Sequence, residues 1–205
     1  MKKLLLASLT LALITTNIVA GEANKAYDVG NFDVAGIKLG MTMNEAVTAF
    51  TKKYNINKSL IKFNKPLNPD PITNDREPTS FIYLFDANGG NYVAVDTESK
   101  IPPDKNNSKI VIKIVYATPS TKDNQKIMLD AAIEKYGSPS ELQYNGTKKW
   151  CLELDPNRTD RCLNQSYTKG PELSLDDRNL TLRDFSYFKT RDNYLEKKKT
   201  IKPAF

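Results

Sequence analysis

Between Lys109 and Ala117 the chain carries Ile110-Val111-Ile112 and Ile114-Val115-Tyr116, interrupted only by Lys113. Branching at Cβ disfavours a helix and suits the pleated surface of a strand. An apolar run without strict alternation is dry on most of both faces, so this strand belongs in the middle of a sheet. The rest of the chain must supply strands on either side of it and a layer that covers them.

Helical and extended signals alternate around that strand. Phe32 to Leu39 reads as a strand stopped by Gly40. Thr42 precedes Glu45 at capping-box spacing, where each side chain satisfies an unpaired backbone N–H of the other. Met43, Ala46, Val47, Phe50 and Tyr54 follow at helical spacing and predict an amphipathic helix over 43–54. Pro66, Pro69, Pro71 and Pro78 exclude helix and central strand from 64–80, which is a long loop. Phe81 to Phe85 and Tyr92 to Val95 flank Asn88-Gly89-Gly90 as a hairpin.

A second helix is expected after Ser120 as its cap. Its stripe is Ile127, Met128, Ala131, Ala132 and Tyr136, widened by Leu129 and Ile133. Gly137 and Pro139 end it. Strands follow at 148–154, 161–167, 172–175 and 179–188. In the last, a bulge near Arg183-Asp184 absorbs the phase change from Leu180 and Leu182 to Phe185 and Tyr187. Aligning the two helices brings Ala49 onto Ala131, Lys53 onto Lys135 and Tyr54 onto Tyr136, the mark of a duplicated unit. The expected fold class is α+β: two tandem helix-plus-antiparallel-strand units, 21–119 and 120–190, forming a curved sheet with helices on one face. A basic tail, 191–205, is expected to be solvated.

The first twenty residues place the protein. Lys2-Lys3, the apolar run Leu4 to Leu13 and the small residues before Gly21 form a secretory signal peptide, cleaved near Ala20. The run is too short for a membrane span, and no cysteine follows the cleavage point to carry a lipid anchor. The expected location is periplasmic or secreted, and the Met-Lys-Lys start has a bacterial look. Lys2 and Lys3 leave with the leader, which takes the formal charge from +6 to +4. In an oxidising compartment the two cysteines, Cys151 and Cys162, form one disulfide, and Asp155-Pro156-Asn157 turns the chain between them.

There is no histidine. Ser-His-Asp and Cys-His nucleophilic catalysis and the usual zinc hydrolase sites are therefore closed. No catalytic motif, metal site or cofactor is indicated, and a non-enzyme is expected. The alternatives are a carboxylate-dependent hydrolase of envelope glycans, using residues such as Asp86, Asp96 or Glu153, or a small-ligand-binding periplasmic protein. Asp176-Asp177 with Asp184 lacks calcium-loop spacing and reads as a solvated turn. Export and the lack of a basic cluster on the folded strands argue against nucleic acid.

Ile37-Lys38-Leu39-Gly40-Met41-Thr42 with Glu45-Ala46, and Lys135-Tyr136-Gly137-Ser138-Pro139, resemble segments of the small SmpA/OmlA envelope domains. The tandem arrangement resembles the β-lactamase inhibitory proteins. The resemblance implies a binding module that presents a concave, aromatic sheet face to an envelope or secreted protein. On that reading the protein-binding candidates are Tyr83, Tyr92, Trp150, Tyr167 and Tyr187, since aromatic side chains dominate interface hot spots.

The purified chain, untreated with reductant, is expected to show no titratable thiol. Two cysteines reacting with a thiol reagent in the native state would refute the Cys151–Cys162 bridge.

Overall fold

The computed structural model describes residues 25–104, 108–163 and 170–200. The expected leader, 1–20, lies outside the described residues, as does Tyr167. In chain order the elements are β1 (Asp33–Val34), β2 (Ile37–Lys38), α1 (Met43–Tyr54), β3 (Lys62–Asn64), β4 (Ser80–Leu84), β5 (Tyr92–Ser99) and β6 (Lys109–Ala117). Then follow α2 (Lys122–Tyr136), β7 (Glu141–Leu142), β8 (Lys148–Cys151), β9 (Leu154–Asp155), β10 (Arg158–Cys162), β11 (Pro171–Leu175), β12 (Asn179–Asp184) and α3 (Ser186–Thr200).

Eight strands form one sheet in the order β3-β4-β5-β6-β12-β11-β8-β7, curved rather than closed, with β3 and β7 at its edges. Each half runs from edge to centre, and the last strands of the two halves pair antiparallel, with Ile114 opposite Leu182. The β-branched strand β6 thus lies inside, as its composition demands. Phe63, Phe81, Val95, Ile114, Leu182, Leu173 and Trp150 stand opposite one another from strand to strand. A row of opposed residues shares one face. From Phe81 to Trp150 none is more than 1% exposed.

That face is closed by helices. Phe50 of α1 packs on Phe81 and Tyr83, with ring centroids 6.1 and 5.5 Å apart. Tyr136 of α2 meets Trp150 at 6.3 Å. Both helices therefore lie on the same face. The β1–β2 hairpin fits against them. Tyr136 Oη and Lys135 Nζ donate to the Asp33 carbonyl at 2.6 and 2.9 Å, and Lys135 pairs with the Asp33 carboxylate at 2.7 Å. The Thr42–Glu45 capping box starts α1 as expected. Gly137 ends α2 at φ +83°, where a Cβ would meet Tyr27 Oη at 2.9 Å. Its carbonyl accepts Trp150 Nε1–H at 2.8 Å.

Several expectations are corrected. Phe32 to Leu39 is not one strand but the tight β1–β2 hairpin, reversed at Ala35 and Gly36, both with positive φ. Thr121, not Ser120, caps α2 by accepting Asn124 N–H at 3.2 Å. The buried stripe of α2 is Met128, Ala132 and Tyr136, while Ile127 and Ile133 face out, because one narrow line is all the sheet can cover. The 148–154 strand breaks after Cys151, and β10 begins earlier than 161. The 179–188 strand ends at Asp184, whose carboxylate accepts both the N–H and the hydroxyl of Ser186 and turns the chain into α3. There is no bulge at Arg183-Asp184. The register shift falls between Asp96 and Thr97 of β5, where β6 inserts Ile112. The basic stretch expected to be solvated is exposed at Lys197, Lys198 and Lys199, but it is helical as far as Thr200.

The proline-rich loop is tied down by one buried cation. Lys109 donates to Asp70 at 2.5 Å and to Ser99 Oγ at 3.1 Å, and lies 3.8 Å from Asp75. Asp70 also accepts the N–H groups of Ile72 and Thr73. Ser108 donates to Glu77, and Thr97 N–H to Thr79 O at 2.7 Å. Burial works against the charged form of Asp70, but the Lys109 ammonium and the other donors outweigh it and hold the carboxyl at about 2.

Asp70 is therefore more acidic folded than unfolded. Its stabilisation is complete above about pH 4 and is lost as pH falls through about 2. Asp70→Asn is expected to cost about 1–3 kcal/mol at neutral pH and to flatten the acid limb of stability between about pH 4 and 2. Urea midpoints measured across that range check it. An acid limb identical to wild type would refute the assignment.

Candidate binding surface

Strand alternation sends every second side chain to the face that α1 and α2 leave uncovered. Two opposed rows define it. One runs Ile82, Ala94, Val115, Thr181, Ser174 and Lys149; the other runs Ser80, Asp96, Lys113, Arg183, Glu172 and Cys151. The first is largely small and apolar at its β4–β6 end. The second is charged across most of its width. Where the helix-covered face is dry, most of these side chains are only half-buried.

A groove of about 300 Å³ crosses this face, bounded by Asn64, Ser80, Asp96, Glu98, Arg183 and Phe188. A second hollow of about 290 Å³ shares Asn64, Ser80 and Asp96 and extends over Ile82 and Ala94 toward the β3 edge. Lys113 pairs with Asp96 at 3.2 Å. Desolvation raises the Glu98 carboxyl above its ordinary value, against the pull of Arg191. Arg183 is the unusual member. Its Nε is buried and has no acceptor among the described residues. Its guanidinium carbon lies 4.7 Å from the centre of the Phe185 ring and 5.6 Å from that of Phe188. Arg191 approaches Phe188 at 5.3 Å.

The five aromatic candidates do not form one surface. Trp150 is fully buried on the helix-covered face and holds the end of α2. Tyr187 is not on a strand. It sits in α3, 5% exposed, and donates to Ser99 O at 2.7 Å. Tyr83 also points to the helix side, against Phe50 and Phe85 at 5.5 and 5.0 Å. Only Tyr92, of the four that are described, shares the open face, in register with Ala117 of β6. Aromatics on these strands chiefly fill the core, where their area counts most.

The other singled-out residues separate too. Asp86 accepts Asn91 and Gly90 N–H and shapes the β4–β5 turn. Glu153 lies between β8 and β9, away from the groove, and of the three carboxylates only Asp96 lines it. Asp176 and Asp184 sit at opposite ends of β12, so they do not converge on an ion. Cys151 and Cys162 are bonded, with Cα atoms 5.8 Å apart, and tie β8 to β10. Among the described residues no helix is long and apolar enough to cross a membrane.

The sequence reading proposes none of Arg183, Lys113, Glu98 and Phe188 as a binding residue. The signal for Glu98 lay in the alternation of β5, whose outward half is Tyr92, Ala94, Asp96 and Glu98. Phe188 carries no such signal, because the alternation of the sequence prolongs the strand expected over 179–188 into the start of α3. No protein-family model matches the chain, and no curated protein or solved structure was found to be similar to it.

Trp150→Ala is expected to lower the unfolding free energy by about 3–5 kcal/mol and Tyr187→Phe by about 1 kcal/mol. Tyr92→Ala, on the open face, should cost less than half the Trp150 value. Urea unfolding of the three variants decides this, and equal losses would refute the division of the sheet into a structural and an open face.

Proposed function

We propose that this is an exported bacterial envelope protein that binds a protein partner through the open face of its sheet. The carrying observation is the asymmetry of that sheet. One face is sealed by α1, α2 and the β1–β2 hairpin, while the other presents a groove with apolar and charged sectors side by side. Protein interfaces combine these two chemistries, apolar area for affinity and charge for orientation and specificity. The disulfide fits an oxidising compartment, and the basic, apolar leader fits export. The resemblance to SmpA/OmlA and β-lactamase inhibitory domains supports the same use of the sheet.

The hydrolase alternative has one observation in its favour. Asp96 and Glu98 stand two residues apart on β5, both in the groove, which puts their Cα atoms about 7 Å apart. Lys113 already engages Asp96, however, which suits a fixed charge in a binding site better than a group that trades protons.

The test is position-specific photocrosslinking in the host's own envelope. A photoreactive residue at Val115 or Thr181, on the open face, is expected to trap one dominant protein. The same probe at Ile127, exposed on α2, is expected to trap none of it. Equal capture from Ile127, or capture from Ile127 only, would overturn the reading.

A further inference from the structure

We propose that the groove receives an extended, acidic segment of the partner polypeptide, with Arg183 clamping one of its carboxylates. This deepens the reading above and rests on it, since it requires the open face to be the docking surface.

Arg183 carries the argument. A guanidinium has five donors in a fixed fork. Here one of them, Nε–H, is buried and has no acceptor among the described residues. A buried donor without an acceptor is costly, and a carboxylate arriving bidentately removes that cost. The rings of Phe185 and Phe188 hold the guanidinium in place beforehand, so little side-chain freedom is lost on binding.

The surroundings select an anion. Lys62, Lys113, Arg183 and Arg191 line or border the groove, against Asp96 and Glu98. Asp96 is paired with Lys113, Glu172, opposite Arg183 on β11, is paired with Lys149, and Glu98 faces Arg191. The balance left for a ligand is positive. The shape selects a chain. From β3 to β12 the groove spans four inter-strand spacings, about 19 Å, which accommodates about six extended residues. Asn64 and Ser80 offer partners for peptide groups at the β3–β4 end, and Ile82 and Ala94 beside them offer an aliphatic floor. An acidic glycan fits less well. Sugar rings need a bare aromatic face, and the Phe188 ring already carries two guanidiniums.

The experiment uses the whole disulfide-bonded chain and two capped, rhodamine-labelled peptides, (Glu-Val)5 and (Gln-Val)5, read by fluorescence anisotropy. The acidic peptide is expected to bind at least tenfold tighter than its neutral counterpart. Arg183→Gln should erase that preference, Arg183→Lys should keep part of it, and Lys126→Gln, on α2, should leave it intact. Far-UV circular dichroism and the melting temperature establish that each variant is folded, and Arg183→Lys keeps the test decisive if Arg183→Gln is not. Equal losses in Arg183→Gln and Lys126→Gln would overturn the proposal in favour of bulk charge. Displacement of (Glu-Val)5 by trigalacturonate at lower concentration than by unlabelled peptide would overturn it in favour of an acidic glycan. If both peptides bind equally and Val115→Arg abolishes both, the open face docks a partner but the clamp is refuted. If neither binds at millimolar concentration, the clamp is refuted, and the crosslinking pattern decides the docking surface separately.

Discussion

The antiparallel pairing of β6 with β12 is the contact on which the rest depends. It joins the last strand of one half to the last strand of the other and sets Ile114 against Leu182. That register aligns the apolar row from Phe81 to Trp150 across six strands, which lets α1 and α2 seat on one continuous surface. A slip of one residue would send that row to the opposite face and present Lys113 and Arg183 to the helices. The same pairing therefore decides which face is core and which is open.

Two devices fix the end of the sheet near the groove. Lys109 extends into the core layer, where an isolated ammonium would be expensive, and is compensated by Asp70, Asp75 and Ser99. The proline-rich loop is thereby a structural cover rather than a loose excursion. Tyr187 then bonds the Ser99 carbonyl from α3, so the loop, β5 and the start of α3 meet at one residue. Phe188, the next residue along α3, borders the groove beside Arg183. The groove is thus built on anchored elements, as a site that discriminates between partners requires.

Legibility followed the range of the interaction. The capping box at Thr42 and Glu45, the stop at Gly137 and the Asn88-Gly89-Gly90 turn rest on contacts within a few residues, and the central character of β6 shows in its own composition; all are readable. The end of β12 was not. Leu180 and Leu182 alternate as a strand should, and Phe185 and Tyr187 prolong an apolar pattern that strand and helix share at short length. What decides the boundary is the Asp184 carboxylate turning onto Ser186 and the Tyr187 hydroxyl finding Ser99. The second of these is a contact between residues far apart in the chain.

Composition and local pattern by themselves determined the α+β class, the helix-then-strands order met twice and the cysteine pair, because each depends on periodicity, turn chemistry or simple counting. Tertiary structure alone decided which aromatic residues are core and which residues line the open face. A strand presents two faces with equal regularity, and the sequence does not label them. Only the packing of α1 and α2 against one of them buried Trp150, drew Tyr83 partly under cover and left Arg183 beside the groove, its Nε without an acceptor among the described residues.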